Sequence, residues 1–113
     1  MAAKAKIGVL GASGYTGGEL VRVLLRHPRA EIVLLTAERS AGKAMRDVFP
    51  QFSPFTLPQL VAIDGIDWRG AALDVAFCAL PHATTQKVIK DLMAKSPSTK
   101  VVDLSADFRL SDT

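Results

Sequence analysis

Gly11-Ala-Ser-Gly-Tyr-Thr-Gly17 sets three glycines in a G-x-x-G-x-x-G spacing between a short apolar run and an amphipathic one. In the related dinucleotide fingerprint, one glycine permits a tight turn, one lets backbone approach a pyrophosphate, and one lets a helix pack closely on a strand. Each role can be placed on Gly11, Gly14 and Gly17. Amides at the helix start, with the positive end of the helix dipole behind them, would hold phosphate oxygens, and Ser13 and Thr16 would add hydroxyl donors. The plainer alternative is a glycine turn with no ligand; the position after a strand and before a helix favours the nucleotide. Gly18, just beyond, points to close packing rather than binding.

Dinucleotide sites selective for NAD carry a carboxylate about 20 residues past the glycines, where it accepts from the ribose 2′-hydroxyl. Glu38 lies near that offset, but Arg39, Ser40 and Lys43 follow it, and charge-assisted bonds from such residues suit a 2′-phosphate. NADP is therefore expected over NAD, with a solvated loop face as the alternative for Arg39 and Lys43. Cys78 sits inside Val75-Ala-Phe-Cys-Ala-Leu80, where a thiol behaves as a small hydrophobe with nothing to lower its pKa. A structural role is expected for it. Pro81-His82 falls just past that run, where a histidine more often shapes a loop than transfers protons, and His27 before Pro28 reads as a helix C-terminal charge or cap partner. Asp103-Leu-Ser-Ala-Asp-Phe-Arg109 gathers a hydroxyl, two carboxylates and a guanidinium. Asp103 and Asp107 read equally as turn and capping residues, while Arg109 is either a fork for a phosphate or carboxylate or a surface ion-pair partner.

The elements that must position these residues alternate in type. Lys6 to Leu10 reads as a buried strand and Thr16 to His27 as a helix through Leu20, Val23 and Leu24, stopped by Pro28; Glu31 to Thr36 is a second strand. Ala37 to Pro58, broken by Gly42, Pro50, Pro54 and Pro58, is expected as loop with one short helix near Lys43 to Val48 and no regular strand. Leu60 to Ile63, ending at Asp64-Gly65, Asp74 to Leu80, and Lys100 to Leu104 are three further strands. Between the last two lies a helix capped by Thr84 or Thr85, with Val88, Ile89, Leu92 and Met93 on one face. Such alternation implies an α/β fold with a parallel sheet covered on both faces, and ligands then bind beyond the carboxyl ends of the strands. Those ends are Gly11 to Gly17, Thr36 to Lys43, Leu80 to Thr85, and Ser105 to Arg109.

Composition narrows the classes. At 113 residues the chain is the size of one domain, against roughly 100 to 200 residues for a typical one. The balance of 49% hydrophobic and 22% charged residues is globular, and the single cysteine removes a disulfide framework and fits a reducing cytoplasm. No Cys/His cluster suggests structural zinc. No run approaches the roughly 18 apolar residues of a membrane helix, and the first residues do not read as a secretion signal. The net charge of +3 is concentrated before residue 30, where five basic residues face Glu19 alone. With only 6% aromatics, this suits small anions better than nucleic acid.

Taken together, Gly11-Ala-Ser-Gly-Tyr-Thr-Gly-Gly-Glu-Leu-Val-Arg22, Leu24-Leu-Arg-His-Pro28, Ala41-Gly-Lys43, Val48-Phe-Pro50, Ala79-Leu-Pro-His82 and Asp103-Leu-Ser-Ala-Asp-Phe-Arg109 resemble the amino-terminal part of the N-acetyl-gamma-glutamyl-phosphate reductases. The resemblance implies a Rossmann-type NADP-binding domain over residues 1–113, with Gly11, Ser13, Gly14, Tyr15, Thr16 and Gly17 in the cofactor loop. The loop at Ala37 to Ser40, where Arg39 and Ser40 are expected at the 2′-phosphate, departs from the family's more usual serine and arginine order. The Pro81-His82 turn would lie near the nucleotide. Ser105 and Arg109 would face the acyl-phosphate substrate, Arg109 holding the phosphoryl group. The implied chemistry is a cysteine thiolate displacing phosphate to form a thioester, which hydride from NADPH then reduces to the aldehyde. The family's Pro-Gly-Cys-Tyr nucleophile stretch, its proton-handling histidine and its substrate domain are absent from these residues, and Cys78 does not match that stretch. The chain is therefore expected to be an incomplete part of a larger cytoplasmic reductase, homo-oligomeric when whole, that binds NADPH without turnover by itself. The alternatives are an aspartate-semialdehyde dehydrogenase, a lysine-pathway reductase, or a non-catalytic NADP-binding sensor.

Overall fold

Ile7, Val9 and Leu10 are buried, and their alternation explains why Ala5–Leu10 forms the central strand, β1. Ile7 and Val9 face one layer, while Gly8 and Leu10 face the other. In the computed structural model, which describes residues 4–12, 14–37, 40–64, 66–80 and 82–104 (the backbone alone at 82–83), β1 is flanked by Ala30–Thr36 (β2) and Val75–Cys78 (β4). Leu60–Val61 (β3) pairs beyond β2, and Lys100–Asp103 (β5) pairs beyond β4. The order β3-β2-β1-β4-β5 is parallel throughout. The chain therefore winds outward from β1 in both directions, and the direction of winding reverses between β1 and β4.

Helix α1, Tyr15–Leu25, returns the chain from β1 to β2. It lays Val21 and Leu24 on Ile7, Val9 and Leu35 in one core, completed by Met45 and Phe52. The opposite core joins Leu10, Ala76 and Cys78 to Trp68 of α3 (Trp68–Ala71) and Leu92 of α4 (His82–Lys95). Helices thus cover both faces, as the alternation of elements requires. Between β1 and β2 the register slips by one residue, with Ile7 opposite Ile32 but Gly8 opposite Leu34. A Cβ at Gly8 would lie 2.7 Å from Leu73 Cδ1, so this strand position admits only glycine without repacking the second core.

Several expected elements are shifted. The buried stripe of α1 is Gly17, Gly18, Val21 and Leu24, with Val23 53% exposed, because the close packing of two glycines rotates the helix relative to a stripe read from large apolar residues alone. Helix α4 begins at His82, so neither Thr84 nor Thr85 caps it; Thr85 is buried in its first turn and its hydroxyl donates to the Leu80 carbonyl at 3.0 Å. In the second helix face Leu92 is buried but Met93 is exposed. The region from Ala37 to Pro58 holds Met45–Val48 (α2) and a 3-10 turn at Pro50–Phe52 and no regular strand among its described residues. Asp47 accepts from the Ala44 amide at 3.1 Å and so starts α2.

The one-turn helix α3 is absent from the sequence expectation. It stands on a single side chain: Trp68 is 2% exposed and its indole N–H donates to Asp91 of α4 at 3.1 Å. Ala72 closes it at φ 49°, a left-handed cap for which glycine would be the usual signal.

Candidate functional site

Gly11, at the carboxyl end of β1, has φ +87°, and a Cβ there would lie 2.7 Å from the Ala79 carbonyl oxygen. Both backbone conformation and space demand glycine. Gly17, in the first turn of α1, is demanded by space alone: a Cβ would overlap the Gly11 carbonyl oxygen and lie 2.8 Å from Ala12 Cα. Gly14 differs from both. Its φ of −79° is open to any residue, and a Cβ would meet only the Gly11 carbonyl oxygen, at an ordinary 3.5 Å. Nothing among the described residues requires glycine at this exposed position. At Gly18 a Cβ would lie 2.9 Å from the Phe49 ring, in keeping with its expected packing role.

The amides of the turn divide into two sets. The Gly11 N–H donates to Thr36 Oγ1 at 2.9 Å, and the Ala12 N–H donates to the Thr36 carbonyl at 2.8 Å. These donors are engaged within the fold. The Gly14 N–H reaches back to the Gly11 carbonyl at 3.2 Å, and the helical ladder opens with Gly18 N–H on the Gly14 carbonyl at 2.9 Å. Among the described residues no side chain caps α1, and no acidic residue lies in its first turn. The amides of Tyr15, Thr16 and Gly17 therefore precede the ladder at a helix end whose partial positive charge has no capping carboxylate, an arrangement that accepts an anion. Tyr15 is 78% exposed over this turn, and Thr16 is half-buried beside it.

Thr36 itself is a site residue that composition and spacing did not single out. It is buried among the apolar residues of β2, and the available signal was a lone hydroxyl at the last position of a strand that ends beside the glycine turn. The segment after β2 is pinned down: Lys43 N–H bonds to the Ser40 carbonyl, Gly42 N–H to the Leu60 carbonyl, and Leu60 N–H to the Lys43 carbonyl. The Gln59 side-chain amide also donates to the Gly42 carbonyl. Ser40 is half-buried and Lys43 exposed. Glu38 and Arg39 lie outside the described residues, as does Ser13.

At the carboxyl end of β4, Cys78 is fully buried. Loss of solvation, reinforced by the negative charge of Asp103, pushes its thiol pKa up to about 12. A thiol so placed is not a nucleophile at neutral pH. Asp103 is the last residue of β5, opposite Cys78, so it is a strand residue rather than a turn residue. His82 opens α4 directly beyond β4, while Pro81 and the side chain of His82 lie outside the described residues. So do Gly65, Ser105, Asp107 and Arg109. His27 follows the end of α1 as a cap partner: its backbone N–H donates to the Leu24 carbonyl at 3.0 Å, and its Nδ1 accepts from the Arg29 amide at 3.1 Å.

Two clefts open elsewhere. One of about 500 Å3 lies beside Gly42, between Met45, Arg46, Phe52, Phe55 and Gln59. The other, about 640 Å3, lies over Val33, Val61, Ile66, Asp67 and Ala71. Neither is lined by an expected site residue among those described. Among the described residues no group of His, Cys, Asp and Glu could hold a metal ion, and no helix is long and apolar enough to cross a membrane.

A parallel sheet that reverses its winding beside a glycine turn defines a dinucleotide-binding class of domain. Residues 6–113 match the family model described as semialdehyde dehydrogenase, NAD binding domain, and the chain belongs to that family. Among curated proteins it is 74% identical over 112 residues to the N-acetyl-gamma-glutamyl-phosphate reductase of Afipia carboxidovorans, covering 99% of this chain and 32% of the relative. It is 56% identical over 107 residues to the reductase of the same name from Ruegeria pomeroyi, covering 95% of this chain and 30% of the relative. The chain thus spans about a third of the length of these relatives. Among solved structures, aspartate semialdehyde dehydrogenase with NADP from Candida albicans superposes with a TM-score of 0.73 at 28% identity, over 95% of this chain and 31% of that one.

Proposed function

We propose that residues 1–113 bind a nicotinamide dinucleotide, NADP in preference to NAD, as the cofactor-binding part of a reductase that converts N-acetyl-gamma-glutamyl phosphate to N-acetylglutamate semialdehyde with release of phosphate. The observation that carries the cofactor reading is Gly14. The fold needs glycine at Gly11 and Gly17, but nothing among the described residues needs it at Gly14, so its lack of a side chain is explained by something that approaches from outside. A diphosphate resting on the amides of Tyr15, Thr16 and Gly17 is that partner. The names of the relatives support the choice of substrate, and the NADP in the Candida albicans neighbour supports the choice of cofactor.

When bound, the nicotinamide supplies the hydride that reduces the acyl carbon. The residues of this chain orient it. Ser13 and Thr16 add hydroxyls to the diphosphate site, Tyr15 covers it, and Pro81 and His82 border the nucleotide from the neighbouring strand end. Arg39 and Ser40 take the 2′-phosphate. On the substrate side, Ser105 and Arg109 hold the phosphorylated end of the acyl phosphate, Arg109 through its planar fork of donors. Cys78, buried and with a raised pKa, takes no part in the covalent step, so these residues alone bind the cofactor without turning over substrate. Aspartate-semialdehyde dehydrogenase activity is a second reading, favoured by the structural neighbour; assay of the intact protein with both acyl phosphates separates the two.

The test of the cofactor reading is Gly14→Ala. Its expected result is NADPH binding weakened roughly tenfold or more, because the new methyl occupies the line of approach, with no more than the small loss of stability that alanine brings at a helix N-cap. Unchanged affinity would show that Gly14 is an ordinary turn residue and would remove the main support for the site.

A further inference from the structure

We propose that Thr36 is a positioning residue for the dinucleotide turn: by binding the amides of Gly11 and Ala12, it determines which amides of the turn remain to face a diphosphate. The inference rests on the dinucleotide reading above and adds a residue from a different strand to it.

Thr36 ends a strand in which it directly follows Ile32, Val33, Leu34 and Leu35, and it is 1% exposed. Valine would fill the same volume and suit the strand equally well. A buried hydroxyl is costly unless bonded, and the bond made here is the one received from the Gly11 N–H at 2.9 Å. The Thr36 carbonyl takes the Ala12 N–H at 2.8 Å. Two consecutive amides are thereby turned inward on either side of a residue at φ +87°. With those peptide planes fixed, the first helical amides without a partner among the described residues are those of Tyr15, Thr16 and Gly17. Without the hydroxyl, the Gly11 peptide loses its buried partner and can rotate, and the following turn loses its preset orientation.

Thr36→Val and Thr36→Ser variants of the intact protein, titrated with NADPH and NADH well below their melting temperatures, test this. Thr36→Val should weaken both cofactors alike, by roughly tenfold, with the NADPH to NADH ratio unchanged; Thr36→Ser, which keeps the hydroxyl, should restore affinity. A role in stability alone would lower the melting temperature and leave the affinity of the folded protein intact, which would overturn the proposal. In the unsubstituted protein, amide hydrogen exchange should find Gly11 and Ala12 protected before cofactor is added and Tyr15 to Gly17 protected only afterwards. Rapid exchange at Gly11 without cofactor would also overturn it, and this measurement decides the matter if Thr36→Val does not fold. Failure of the unsubstituted protein to bind either cofactor would instead overturn the dinucleotide reading itself.

Discussion

The carboxyl ends of β1 and β4 lie side by side, with Leu10 opposite Cys78, yet they present opposite chemistry. At the end of β1 the chain leaves the sheet through a turn whose inner amides are held by Thr36 and whose outer ones begin helix α1. At the end of β4 the reactive-looking side chain, Cys78, is sealed in the core beside Asp103. A nucleophile needs a neighbour that stabilises its anion, and Cys78 has the reverse. The turn needs only backbone, held in place and open to solvent. The difference is that the end of β1 offers main chain to solvent, whereas the lone cysteine at the end of β4 is packing.

Breaking the β1 end should have the largest effect. Gly17→Ala drives a methyl into the Gly11 carbonyl, a backbone clash that no side-chain rotation relieves, and should cost about 3 kcal/mol or more of stability in urea denaturation. A loss under about 1 kcal/mol would mean that helix α1 can slide away from the turn. Set beside Gly14→Ala, which should cost only the small penalty of alanine at an N-cap, it separates a glycine required by the fold from one required by a ligand.

A smaller effect sharpens the cofactor assignment at the neighbouring end of β2. Arg39→Ala should weaken NADPH binding by about 2 kcal/mol, the range for a hydrogen bond to a charged group, and barely change NADH binding. Equal losses for both cofactors would remove its role at the 2′-phosphate.

The smallest effect at neutral pH is expected at Cys78, where Cys78→Ala should cost about 1 kcal/mol through the small cavity it leaves. Burial raises the thiol from 9.0 to about 12, so the folded state holds its proton where the unfolded state releases it. The stabilising contribution is therefore complete below about pH 9 and is lost as pH rises through that interval toward 12. Stability of the unsubstituted protein should fall more steeply across that window than that of Cys78→Ala. Parallel curves, or alkylation of Cys78 by iodoacetamide in the folded state at pH 8, would contradict the sealed-core description.

The parts of the molecule legible in the sequence are those in which residue type and local geometry coincide. β1, β2 and β4 are runs of apolar or β-branched residues long enough to be buried on both faces, and the glycine turn is a pattern whose spacing is itself the structure. Val23 misleads about the buried face of α1, because Gly17 and Gly18 carry no hydrophobic signal although a Cβ on either would clash. Helix α3 is not legible in the sequence because its four residues have no period and form around the contact between Trp68 and Asp91, 23 residues away. Thr36 reads as the end of a strand for a similar reason: its partner lies 25 residues earlier, in the turn after β1. Where a role depends on a contact distant in sequence, spacing alone does not reveal it.

The most direct test of the central claim is a map of backbone amide shifts during titration with NADPH. Saturable shifts should centre on Tyr15, Thr16 and Gly17, with little change at Phe55 and Gln59 beside the cleft near Gly42. Absence of saturable shifts in a folded sample, or shifts centred on that cleft, would contradict it.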